Sequence, residues 1–94
     1  MNHAVKILSV LAEPTRLAVM GLLRDGRERC LCQLMDALGK GQSTMSRHMT
    51  ALKNAGLVVD RRDAQWVRYR INPKLPKSVL SLVHSALDLA KRNS

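Results

Sequence analysis

Ninety-four residues, 46% apolar and 24% charged, can bury one sizeable core and are too few for two domains, and nothing in the composition marks a disordered chain. Sixteen Lys and Arg against seven Asp and Glu leave a formal net charge of +9, which predicts a polyanionic partner, nucleic acid first, rather than a small acidic substrate. Apolar runs broken every two or three residues exclude a membrane span, no cleavage site follows an apolar core near the start, and two cysteines are too few to staple a secreted scaffold, so the expected compartment is the cytoplasm.

Ala4, Val5, Leu8, Leu11 and Ala12 share a helical stripe that ends before Pro14. Thr15 is placed to cap a second helix running to about Arg24, apolar on nearly every side through Leu17, Met20, Leu22 and Leu23 and stopped by Asp25-Gly26. Leu31, Leu34, Met35 and Leu38 mark a short third helix closed by Gly39. After a Lys40-Gly41 turn, a fourth helix runs from about Gln42 to Ala55 with Met45, Met49 and Leu52 inward and Gly56 behind it. Two short helices joined by a glycine turn are the helix-turn-helix signature. Leu57-Val58-Val59 and Val67 to Ile71 read as a hairpin across polar Arg61 to Gln65, with Val67, Tyr69 and Ile71 on one face and Trp66, Arg68 and Arg70 on the other. Beyond Pro73 and Pro76, Val79, Leu82, Val83, Ala86, Leu87 and Ala90 mark a last helix. The expected fold is mainly α with a β-hairpin (α+β): a winged helix-turn-helix of four helices, a hairpin and a helix, one domain over 1–94.

Residues 40–72 hold seven basic and two acidic residues, more than half of the net charge, on the expected reading helix and wing. A generally basic solvated surface is the plainer alternative. A recognition helix presents its N-terminal side chains to the major groove, and Gln42, Ser43, Thr44, Ser46 and Arg47 supply that cluster. Gln pairs with adenine and Arg with guanine in bidentate fashion, while Ser and Thr reach a base or a phosphate; one of Ser43 and Thr44 is equally suited to capping the helix. His48 packs or bonds locally. Arg61, Arg62 and Arg68 are the wing's candidate phosphate contacts.

The run from Ser43 to Val58, followed by Arg61-Arg62 and Tyr69 and preceded by Glu13-Pro14-Thr15-Arg16, resembles the ArsR/SmtB repressors over nearly the whole chain. That resemblance implies double-stranded operator DNA as partner, base and backbone contacts at Gln42, Ser43, Ser46 and Arg47, and a homodimer built from the first and last helices. Symmetry argues the same way, since one subunit offers too few base contacts for a genomic address and a dimer reads two half-sites. Val5, Leu8, Leu80, Val83 and Leu87 are the expected interface residues, less whatever the subunit's own core consumes. The wing departs from the family's pattern: Asp63-Ala64-Gln65 stand where relatives carry Gly-Arg or similar, putting an acidic residue at the tip.

Cys30-Leu31-Cys32 opens the third helix after Arg27 and Arg29, and a helix N-terminus with guanidinium groups nearby favours thiolate. Counted as helical, the two side chains diverge by about 200° at roughly 100° per residue, so gripping one soft centre requires the first turn to unwind and disturb the reader beside it. Such coupling is reciprocal: DNA weakens the ligand as the ligand weakens DNA. The resemblance implies As(III) or Sb(III) as the inducer at a Cys-x-Cys here, with a third cysteine three residues on. This chain has Met35 there, which fits the core stripe better than a ligand role. The two-thiolate site is then completed by an exogenous thiol, hydroxide or water, or suits a monomethylated arsenical.

The main rival is a thiol redox or persulfide sensor using the same two exposed, activated cysteines, with a bridge strained unless the backbone bends. Cadmium, lead or zinc sensing wants more ligands, and His84 and Asp88 at i, i+4 on the last helix lack a second pair. An enzyme is not expected: the chain has no Cys-x-x-Cys, no phosphate-binding glycine loop and no Ser/His/Asp grouping. A ligand-free architectural DNA binder would use the basic wing but not the thiols.

Overall fold

Pro14 decides where the first two helices part, because its fixed φ suits the first position of a helix and blocks continuation of the one before it. The computed structural model, which describes residues 2–92, ends α1 (Asn2–Leu11) ahead of this proline and starts α2 (Pro14–Leu22) on it. The cap of α2 is therefore Glu13 and not Thr15: extended just ahead of the proline, its carboxylate accepts from the Arg16 N–H at 2.9 Å. Arg16 also donates from Nε to the Val10 carbonyl at 2.7 Å and so closes the end of α1.

There follow β1 (Arg29–Cys30), α3 (Leu31–Leu38), α4 (Gln42–Asn54), β2 (Val58–Asp63), β3 (Trp66–Ile71) and α5 (Lys77–Arg92). A double closure around Gly56, at φ +77°, ends α4: Gly56 N–H reaches the Lys53 carbonyl and Leu57 N–H the Leu52 carbonyl. The chain then drops straight into β2. The hairpin is longer than its apolar pattern predicts, since Asp60 to Asp63 continue the ladder opposite Tyr69 to Trp66. Backbone pairing, rather than burial, extends it. A third strand, invisible in the sequence, adds β1 antiparallel to β3, so the sheet order is β1-β3-β2. Two residues are too short to show alternation.

The architecture is that of a winged helix-turn-helix. Its core gathers Ile7, Leu11, Val19, Met20, Leu23, Leu34, Met45, Met49, Leu52, Leu57, Val58 and Val83, each nearly or fully buried. Two expected interface residues are corrected here. Val83 is 0% exposed and Leu87 only 9%, because the inward stripe of α5 is consumed by the subunit's own core. Val5 and Leu8 stay open at 64% and 50%, Leu80 is partly buried, and Leu89, not singled out from sequence, is 62% exposed. Among the described residues no helix is long and apolar enough to cross a membrane.

Candidate functional site

The reading helix α4 is anchored by Met45, Met49 and Leu52, all fully buried at i, i+4, i+7, which turns Gln42, Ser43 and Arg47 outward and leaves Thr44 and Ser46 half-buried. Neither Ser43 nor Thr44 caps the helix. The cap position is Gly41, and no side chain accepts from the first turn. Among the described residues nothing claims the opening amides of α4, an arrangement suited to phosphate. Lys53 ties the helix to β2 by pairing with Asp60 at 3.0 Å, while His48 Nδ1, buried and without a hydrogen-bond partner among the described residues, faces Glu13 Oε2 at 3.6 Å. The Glu13 carboxyl sits low: burial raises it, but the Arg16 amide together with the His48 and Arg16 charges outweighs that.

On the wing, Glu28 grips Arg61 through two hydrogen bonds of 2.7 and 2.8 Å, which holds the Glu28 carboxyl below its usual range and raises Arg61. Asp63, the acidic tip, accepts from Arg68 at 3.0 Å. Of the three wing arginines expected at phosphate, Arg62 alone has no ion-pair partner among the described residues. Solvent screens pairs of this kind, so phosphate competes for Arg61 and Arg68 at little cost. At the tip, Ala64 takes a left-handed φ of 55°, a conformation that glycine adopts more readily.

The thiol pair differs from its expected geometry. Cys30 is not helical: it is the last residue of β1 and the cap of α3, extended at φ −74° and ψ 159°. From there its side chain swings back over the first turn, and Cys30 and Cys32 are joined as a disulfide with α3 intact. The expected 200° divergence and the unwinding it demanded are both overturned, because that argument placed Cys30 on the helix. Nor are both sulfurs exposed: Cys30 is 6% exposed and Cys32 is open. The capping is reciprocal, with Cys30 Sγ accepting from Gln33 N–H at 3.3 Å and Gln33 Oε1 accepting from Cys30 N–H at 2.8 Å. Cys30-x-x-Gln33 is a capping box with sulfur in place of a hydroxyl, a pattern present in the sequence and not read there. Arg29 spends its charge on Asp25 at 3.2 Å, which weakens its claim as a thiolate activator.

Structural links run from this pair to both reading elements. Arg29 pairs with Tyr69 and Cys30 with Arg68 across the sheet, Glu28 holds Arg61, and α3 packs on α4. Met35 is partly buried against the core, so it takes the filler role expected of it. Between α3, the start of α4 and the hairpin tip lies a cleft of about 280 Å³ lined by Leu31, Cys32, Met35, Gln42, Gln65, Trp66 and Val67. Trp66, missed as a functional candidate, is 43% exposed there. Far from the thiols, Asp88 accepts from Arg24 at 2.7 Å, which lowers its carboxyl, and His84 is half-buried. Among the described residues no three His, Cys, Asp or Glu side chains gather to hold a metal ion.

Comparison with known proteins agrees with this anatomy. Residues 13–59 match the family described as bacterial regulatory protein, arsR family. The arsenical resistance operon repressor of Escherichia coli K12 is 35% identical over 82 residues, covering 87% of this chain and 70% of that protein. HlyU from Vibrio cholerae superposes with a TM-score of 0.82 at 30% identity, over 94% of this chain and 91% of HlyU. The homodimeric winged helix-turn-helix DNA-binding domain of Mb0332 from Mycobacterium bovis superposes at 0.79 and 30% identity, over 96% and 80% of the two chains.

Proposed function

The chain belongs to the arsR family of bacterial regulatory proteins, and from that premise we propose that it is a cytoplasmic, homodimeric repressor that leaves its operator when As(III) or Sb(III) binds Cys30 and Cys32. The arsenical repressor relative and the homodimeric structural neighbour support the two halves of this reading. Val5, Leu8, Leu80 and Leu89 offer the apolar surface for the second subunit. Gln42, Ser43, Thr44, Ser46 and Arg47 read bases and nearby backbone, and Arg62, with Arg61 and Arg68 once their carboxylates release them, grips phosphate.

One observation carries the inducer: both sulfurs meet at the start of α3 while Cys30 is also a rung of the wing's sheet. Trivalent arsenic, when bound to the reduced pair, supplies a thiophilic centre for both sulfurs. Drawing Cys30 Sγ onto that centre would displace it from Gln33 N–H, which would weaken the cap on the first turn of α3 and pass the change to Arg68 and Arg61 through β1 and to the reading helix through α3. Release therefore runs through a weakened cap rather than an unwound turn, and operator DNA weakens inducer binding by the same factor.

The test is a titration of operator release from the reduced protein with arsenite, methylarsenite, antimonite, cadmium, zinc and polysulfide, repeated on Cys30→Ser and Cys32→Ser. Release by arsenite that either substitution abolishes supports the reading; release that survives both removes it. The bridge between the cysteines favours a second reading, a redox or persulfide sensor. In that case oxidant or polysulfide releases the operator and arsenite does not.

A further inference from the structure

A second recess, sharing no residue with the thiol site, opens where the turn after α2, the end of β3 and α5 meet. It holds about 220 Å³ and carries Ile71, Leu75 and Leu80 on its apolar side and Arg24, Arg70 and His84 on its basic side. The basic groups are unequally committed. Arg24 is paired with Asp88 at 2.7 Å, whereas exposed Arg70 has no ion-pair partner among the described residues. The carboxylate on the lining, Asp25, is already taken, accepting from Arg29 at 3.2 Å and from Arg27 N–H at 2.9 Å. Glu28, whose carboxyl feels the Arg70 charge, gives both oxygens to Arg61.

A guanidinium without a counter-ion beside an apolar recess favours an anion that carries hydrocarbon, because the charge-assisted bond and the apolar burial then select the same guest. DNA phosphate satisfies the first condition only, having no apolar body to cover Leu75 and Leu80. A cavity of about 150 Å³ is enough to hold benzene, so this one admits a single ring or a short branched chain with a carboxylate attached.

We propose that this recess binds a small carboxylate with a compact apolar body, an aromatic or branched-chain acid, whose carboxylate pairs with Arg70 while its hydrocarbon covers Leu75 and Leu80. The recess is also placed to be felt at the operator. Asn72, on its lining, donates from Nδ2 to the Gly56 carbonyl at 3.0 Å, and its backbone N–H reaches the Leu57 carbonyl at 3.0 Å. These bonds fasten the end of the wing to the closure behind the reading helix. Leu80 and His84 bring in α5, the helix that the proposed dimer uses. A guest here touches the wing's end and α5 together, so its occupancy shifts operator affinity without engaging either cysteine.

The probe is benzoate, with benzamide and acetate as controls that remove the charge and the ring in turn. Amide NMR spectra of isotope-labelled protein follow Gly26 and the Asn72 side chain, both on the recess, while anisotropy of a labelled operator follows DNA binding at fixed ionic strength. Expected are saturable shifts at Gly26 and Asn72 with benzoate, half-complete at about 1 mM or below, and a change of operator affinity over the same concentrations. Benzamide and acetate bind more weakly by about tenfold or more, and so does benzoate to Arg70→Gln, whose exposed position leaves the fold intact. Shifts that never saturate, that acetate reproduces, or that persist in Arg70→Gln overturn the site, as does the absence of any shift because a second subunit covers Leu80. Saturation at the recess with no change at the operator overturns the coupling. None of these results bears on release by arsenite, so this site and the thiol reading fail separately.

Discussion

The two helices of the helix-turn-helix begin in opposite ways. At α3 the first turn is closed by the chain itself, Cys30 and Gln33 each satisfying a backbone amide of the other, and the cap is a sulfur. At α4 the cap position is a glycine and no side chain takes the opening amides. Every helix start carries orphan donors and a partial positive charge. A start that satisfies its own donors is stable and becomes sensitive to whatever occupies the capping atom; a start left open waits for an anion from outside. In the proposed function the closed start is the sensing end and the open start is the reading end, one helix apart.

The largest expected effect lies at the reading end. Arg47→Ala costs about 1–3 kcal/mol of operator affinity and relaxes base preference, while Arg62→Ala weakens binding evenly across sequences and flattens the salt slope by about one unit. Anisotropy titrations against operator and base-substituted duplexes separate them, and identical behaviour would dissolve the division of labour between helix and wing. At the sensing end, Cys30→Ala in the reduced protein lowers unfolding stability by about 1 kcal/mol, whereas Cys30→Ser, which restores a capping oxygen, stays close to the parent. Equal urea midpoints for the two would mean that the sulfur does not hold this turn.

Exchanging the character of the open start is the sharper intervention with the smaller thermal signature. Gly41→Asp caps α4 and raises stability by a few tenths of a kcal/mol, yet sets a carboxylate where phosphate is expected, so operator affinity falls as the melting temperature rises. A variant that gains in both would show that phosphate does not approach there. Smallest is the effect of the Glu28 clamp. Its carboxyl is held low in the folded state by Arg61, so its contribution is present above the ordinary carboxylate pKa and is lost as pH falls through the lowered value. Glu28→Gln should lower the melting temperature slightly at neutral pH and converge with the parent in acid, which flattens the acid limb of the profile.

The reading end was largely legible beforehand. Met45, Met49 and Leu52 fix which way α4 faces, and the exposure of Gln42, Ser43 and Arg47 follows from helical spacing. The sensing end was not, because spacing arguments assume an element type: one residue of error in where α3 begins turned a converging pair into a diverging one. Element ends are set by caps and by pairing with distant strands, and β1 owes its existence to β3, some forty residues away in the chain. Val83 and Leu87 teach the same lesson from α5, whose apolar stripe could face the core or a second subunit on sequence grounds alone.

What the amino-acid order determined by itself is whatever depends on neighbours a few residues apart: helix faces, the glycine closures at Gly39 and Gly56, the basic character of residues 40–72, and the presence of two thiols beside the reader. Only the tertiary structure decided which arginines are already paired, that Cys30 is buried as a rung of the wing's sheet, and that Trp66 walls a cleft beside Cys32. These depend on contacts between segments far apart in the chain, whose energies appear only once the core has brought those segments together.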